Sequence, residues 1–192
     1  MKKVVIVLTL IIFCTACKSK QQNATLPSDS IFYLTSDWQN QNNQTIKLSN
    51  LNGKTLVMVM IYTSCKAACP ILVSKMKQIE SKIATSNMSK VSMVLVSIDP
   101  ETDTPERLKE FSISNGMNNP HWIFLRGNEA STQELANVLS MKYKQISPID
   151  FSHSNIITIF SPDGQMQSQE EGLDINVKAV AEKVNHVVKE YN

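Results

Sequence analysis

Glycine is scarce in this chain, five residues in 192, and none of them clusters into a loop that could cradle phosphates. Histidine is scarcer still, with three, and cysteine numbers four. A closed structural zinc site takes four protein ligands, and no second Cys or His pair is present to complete one. No Ser, His and Asp fall in an order that argues for a hydrolytic triad. Long apolar runs are missing as well. Val4 to Phe13 is apolar apart from Thr9, well short of the ~20 residues a bilayer-spanning helix needs. An excess of one charge is also absent. Lys and Arg total 19 against 17 Asp and Glu, net +2. Lys2 and Lys3 lie in the leader, so the rest is near neutral and offers no clustered basic face for nucleic acid. What remains, 42% hydrophobic and 19% charged, is the composition of a chain that buries a core.

The first segment has the pattern of an export signal: Lys2 and Lys3, then the apolar run, then Thr15-Ala16 ahead of Cys17. It resembles a lipoprotein leader, in which the cysteine is lipidated and becomes the new N-terminus. Cys14 stands three positions before Cys17, where that pattern prefers Leu. The expected organisation is a lipoprotein signal at 1–17, a polar tether at 18–30 and one domain at 31–192. The expected location is outside the cytoplasmic membrane, on a lipid anchor. Cys14 and Cys17 then belong to the leader, and Cys65 and Cys69 are left for chemistry. One pair is too few for a mini-protein disulfide framework, although an exported compartment permits a disulfide.

Leu56 to Tyr62 and Val91 to Ile98 are continuous rather than alternating apolar runs. They predict strands buried on both faces. Pro70 to Ala84 between them carries Ile71, Leu72, Lys75, Met76 and Ile79 at helical spacing, with Pro70 suited to the first helical position. Strand, helix, strand makes a parallel crossover. A helix from Pro105 follows, with Leu108 and Phe111 on its apolar side and Asp103 or Thr104 as its cap. Trp122 to Leu125 predicts a strand. Ser131 to Met141 predicts a helix capped by Ser131, with Leu135, Val138 and Leu139 inward. Asn155 to Phe160 predicts a strand that turns through Ser161-Pro-Asp-Gly164 into a partner strand. Val177 to Tyr191 places Val177, Val180, Ala181, Val184, Val188 and Tyr191 on one helical face. Asn40 to Gln44 reads as the tip of an N-terminal hairpin. The fold class is α/β, a central mixed sheet flanked by helices.

Cys65 and Cys69 follow directly on the first strong strand. A helix N-terminus beside them favours thiolates, and Lys66 adds a positive charge; both cysteines are expected to ionise more readily than usual. Two close thiols can oxidise to a disulfide or bind a soft metal. C-x-x-x-C is less typical of thioredoxin-like redox motifs than C-x-x-C and leaves room for a metal completed by a third ligand. Thiolates favour Cu(I), and imidazole also suits Cu(II). His153, ahead of the Asn155 strand, is the candidate third ligand, since sites in open α/β sheets gather outside strand ends. Asp99 and Asp103 read as strand-closing and capping residues, His121 and His186 as solvent-facing, and Met58 and Met60 as core. A peroxidase would want Thr or Ser three residues before its cysteine and a supporting Arg. Tyr62 stands there instead, and Arg occurs only at 107 and 126.

Three stretches in order carry a family resemblance: Ile61-Tyr-Thr-Ser-Cys-Lys-Ala-Ala-Cys-Pro70, Ser97-Ile-Asp-Pro-Glu-Thr-Asp-Thr-Pro105, and His153-Ser154 ahead of a strand and Ser-Pro-Asp-Gly164. They resemble the Sco/SenC family over roughly Phe32 to Tyr191, with Trp122 to Gly127 also similar. The resemblance implies a thioredoxin-like fold and a copper site of Cys65, Cys69 and His153. It also implies delivery of copper to the dinuclear centre of cytochrome c oxidase or to another cuproprotein. Lys66, Ala67 and Ser152 stand where many members carry Pro, Asp and Asp. The alternative is a thiol–disulfide oxidoreductase, in which Cys65 and Cys69 are catalytic and thiol reductants are partners.

Overall fold

The computed structural model describes residues 25–147 and 150–191. The leader, Cys17 and most of the proposed tether lie outside them. An N-terminal hairpin pairs β1 (Asp37–Asn40) with β2 (Thr45–Lys47). Its tip is built by Asn40, whose Oδ1 accepts the amides of Asn42 and Gln44 at 2.9 and 3.0 Å. Asn43 takes the left-handed conformation, φ 59°, which Asn tolerates better than most residues.

Next come β3 (Thr55–Ile61), α1 (Ala68–Lys82), β4 (Val91–Ser97), α2 (Pro105–Ser114), β5 (Trp122–Arg126) and α3 (Glu129–Val138). The strands β3, β4 and β5 are parallel, in register from Thr55 opposite Val91 to Ile61 opposite Ser97 and from Met93 opposite Trp122 to Val96 opposite Leu125. All seven residues of β3 and of β4 are buried. That requires cover on both faces, and it explains why these strands are continuously apolar. Met58 and Met60 lie in this core.

The chain then forms β6 (Tyr143–Ser147) and β7 (Asp150–His153), a separate two-stranded hairpin. It finishes with β8 (Ile156–Phe160), β9 (Met166–Glu171) and α4 (Val177–Glu190). The main sheet runs β2-β1-β5-β4-β3-β8-β9, with the antiparallel pairs at its two ends. Gly164 closes the β8–β9 turn at φ +85°. A Cβ there would fall on Ser30 Oγ and within 2.7 Å of the Phe32 ring, so the position requires glycine on two counts. In α4, Val180, Ala181, Val184, Val187 and Val188 are buried, and the helix packs against α1.

Three local expectations need correcting. Helix α1 starts two residues before Pro70, which therefore sits third in the helix; within the first four positions its missing N–H costs no internal hydrogen bond. Helix α3 starts at Glu129 and is capped by Asn128, whose own amide donates to the Ser131 hydroxyl oxygen; Val138 at its end is exposed. The β6–β7 hairpin is an element the periodicity did not reveal. No helix among the described residues is long and apolar enough to cross a membrane.

Candidate metal centre

Strand β3 delivers the chain into the segment Tyr62–Ala67, and α1 begins at Ala68. Ala67, the residue before the helix, supplies no side-chain cap. The Cys65 sulfur takes that role: the Cys69 amide donates to Cys65 Sγ at 3.4 Å. A sulfur held against unpaired helix amides is stabilised as a thiolate. Cys65 is half-buried and Cys69 is only 2% exposed. Both are free thiols.

His153 ends β7, with Tyr143 as its cross-strand partner. The hairpin brings the ring over the start of α1, and Nε2 faces Cys69 Sγ at 3.8 Å. Nδ1 lies 3.0 Å from the Ser154 carbonyl oxygen. A carbonyl can only accept, so the proton sits on Nδ1 and the Nε2 lone pair is left for the thiols' side. The Tyr62 ring meets the imidazole edge-on at 5.9 Å and the Phe151 ring at 5.2 Å. The Phe151 amide donates to the Tyr62 hydroxyl at 3.3 Å. Tyr62 thus steadies the strand that carries His153. The ligand atoms of Cys65, Cys69 and His153 all lie within 4.8 Å of one another. Two sulfurs and one imidazole nitrogen, with the second nitrogen tied to a carbonyl, fit a soft metal ion.

The two thiols are electrostatically unlike, which corrects the expectation that both are activated. Burial pushes Cys65 up, but the amides of Cys69 and Ala67, the Cys69 thiol and the Tyr62 hydroxyl donate to its sulfur, and the net shift is downward. Lys66 is exposed and is not among the main causes of the shift. Burial pushes Cys69 strongly upward, and the neighbouring Cys65 and Asp103 charges add to this. Burial, with Cys65 and Asp150 nearby, also raises Tyr62 to about 12, against the Phe151 amide. Lowered Cys65 therefore ionises before raised Cys69. The expected result is that iodoacetamide, followed by mass spectrometry from pH 6 to 9, alkylates Cys65 first throughout. Equal rates at the two sulfurs would contradict this asymmetry.

The Ser97–Pro105 stretch does more than close a strand and cap a helix. Thr104 caps α2, accepting from the Arg107 amide at 3.3 Å. Asp103 instead turns inward and is fully buried. Its Oδ2 accepts from Ser97 Oγ at 2.6 Å and from the Thr63 amide at 3.1 Å, and its Oδ1 accepts from the Thr63 hydroxyl. Burial raises its pKa against these hydrogen bonds. Asp99 is buried after β4 and accepts the Thr102 amide at 3.3 Å. His121 is not solvent-facing. It is half-buried, and its Nε2 lies 2.5 Å from Glu80 Oε1, which also accepts from Trp122 Nε1 at 2.9 Å. His186 is exposed on α4. Tyr62 and Asp103 are the residues whose part in the site was not foreseen. Tyr-Thr before the first cysteine was the available signal for Tyr62; none marked Asp103 as inward.

A curated relative, the SCO1 protein homolog of Bacillus subtilis, is 27% identical over 140 residues, 71% of this chain and 72% of its own length. Among solved structures, Arabidopsis thaliana ScoI with copper bound superposes at TM-score 0.71 with 21% identity, covering 81% of this chain and 96% of that one. A SCO1/SenC family lipoprotein from Bacillus anthracis gives TM-score 0.71 at 19% identity, covering 79% and 91%. At these identities the structures establish the thioredoxin-like fold. The SCO1/SenC family model matches residues 26–189, which include every strand and the whole three-donor cluster, and the chain therefore belongs to the SCO1/SenC family.

Proposed function

We propose that this protein is a copper metallochaperone that takes up one copper ion through Cys65, Cys69 and His153 and passes it to a cuproprotein. The copper-site subunit of cytochrome c oxidase is the recipient the family resemblance favours. The observation that carries the reading is the convergence of two sulfurs and an imidazole nitrogen within 4.8 Å, from chain positions 84 residues apart. Soft thiolates suit Cu(I), and the imidazole extends the site to Cu(II). Each donor has a distinct part. Cys65, the more readily ionised thiol, engages the ion first, Cys69 gives up its proton on binding, and His153 offers Nε2 while Ser154 holds its proton on Nδ1. The half-exposed Cys65 leaves a side open for a recipient's ligands. The leader pattern supports export and a lipid on Cys17, with residues 18–30 as the tether. A near-neutral mature chain supports protein rather than nucleic-acid partners.

The thiol asymmetry favours a second reading, disulfide exchange with a partner. The Cys65 thiolate would attack one sulfur of a partner disulfide, forming a mixed disulfide with it and releasing the other partner sulfur as a thiolate. Cys69, once deprotonated, would then displace the second partner thiolate and leave a Cys65–Cys69 disulfide, reset by a thiol reductant. Anaerobic titration of the reduced full chain in detergent with Cu(I), against a chromophoric chelator, separates the two. One tightly held equivalent supports the metallochaperone. No retention of copper together with rapid reduction of a model disulfide supports the exchange reading instead.

A further inference from the structure

The Ser97–Pro105 stretch contributes no metal donor, yet it carries a buried carboxylate near the site whose two oxygens both accept hydrogen bonds. Asp103 has no exposed surface, and a buried carboxylate is retained only where donors replace the water it has lost. Its carboxylate accepts three hydrogen bonds from other elements: from the Ser97 hydroxyl at the end of β4, and from the amide and hydroxyl of Thr63. Thr63 lies two residues before Cys65, in the segment that joins β3 to α1. Arg107, one turn along α2, donates through Nε to Thr63 Oγ1 at 2.6 Å and lies 3.7 Å from Asp103 Oδ1. Thr63 is thereby held by its amide and by both functions of its hydroxyl. The Cys65 amide in turn donates to the Tyr62 carbonyl at 3.3 Å. The whole turn is fixed against β4 and α2 before it reaches the sulfur.

We infer that Asp103 is a positioning residue for the metal centre: through Thr63, with Arg107 locking the hydroxyl, it sets the turn that holds the Cys65 sulfur against Cys69 and His153. This rests on the copper reading above. Groups that orient ligands without touching the metal typically change its affinity by 10–100-fold when removed. An amide in place of the carboxylate exchanges one acceptor for an NH2 that cannot take a bond from Ser97 or Thr63. A valine at 63 keeps the amide bond and the shape but loses the hydroxyl.

The test compares Asp103→Asn, Thr63→Val and Thr63→Ser with the wild type, each as full chain in detergent. The expected result is Cu(I) affinity weakened about 10- to 100-fold in Asp103→Asn and Thr63→Val. The Cu(II) thiolate charge-transfer band should shift in both, and Thr63→Ser should restore affinity and band. A second readout needs no metal. The ratio of Cys65 to Cys69 alkylation should fall in the two damaging variants while the global unfolding midpoint of Thr63→Val stays near that of the wild type. If Asp103→Asn does not fold, Thr63→Val against Thr63→Ser decides the matter alone. Wild-type copper affinity and an unaltered band in Thr63→Val overturn the inference. If the wild type itself binds no copper, the copper reading fails instead, and the alkylation ratio still judges the positioning role: an unchanged ratio overturns it and a changed one upholds it.

Discussion

Replacing Cys69 with serine is expected to abolish tight copper binding, with a loss of Cu(I) affinity of more than about 100-fold. Removing groups that merely orient ligands costs up to that much, and this change removes one of the three proposed donor atoms. Cys69 is buried in the first turn of α1, with its sulfur 3.8 Å from the His153 nitrogen. Among the described residues, Cys65 is the one other cysteine in the cluster, so no second thiol can take its place. Serine is nearly isosteric and keeps the backbone amide that donates to Cys65, so the helix start is expected to survive. The check is chelator competition, with far-ultraviolet circular dichroism to show that the fold is retained. Binding within a few-fold of the wild type would mean that the ion is held elsewhere.

The second large effect is one of stability. Phe160→Ala is expected to cost about 3–5 kcal/mol, a large part of the ~5–15 kcal/mol that holds a domain together. Phe160 is 1% exposed at the end of β8, opposite Leu56 of β3. The same strand pair places Val59 opposite Ile157. Strand β3 runs on into Cys65, and β8 starts three residues after His153. The cavity would therefore weaken the strand pair that joins the two halves of the site. Thermal unfolding should show a fall of roughly 6–20 °C in the midpoint for a domain of this size. A fall of only a degree or two would mean that this end of the sheet is not part of the cooperative core.

Much of this was open to reading in the sequence, and the reasons differ by element. Strands β3 and β4 announced themselves because burial on both faces leaves no polar alternation. Helix α4 showed through the spacing of Val180, Val184 and Val188. The cysteine pair was visible as a spacing. His153 could not be joined to it by spacing, because the contact spans 84 residues; only the order of three motifs linked them. The β6–β7 hairpin stayed hidden because it packs outside the main sheet. Lys144, Gln145 and Ile146 are all exposed, so the strand alternation is lost. Asp103 and Thr104 stand as alternative caps in the sequence because Asp and Thr both serve at that position. Thr104 took the cap, and only the fold could reveal that its neighbour turned inward toward Thr63. The shared fate foreseen for Cys65 and Cys69 failed for a similar reason: identical residues beside one helix end differ once one of them is buried.

The central claim, a site of two sulfurs and one imidazole, is tested most directly by electron paramagnetic resonance of the Cu(II)-loaded full chain beside His153→Ala. The expected result is one copper per chain, with hyperfine coupling to a single imidazole nitrogen and a thiolate charge-transfer band. In His153→Ala the nitrogen coupling should vanish and the affinity should drop. The same spectrum and affinity in both proteins, alongside undiminished disulfide exchange, would contradict the three-donor site.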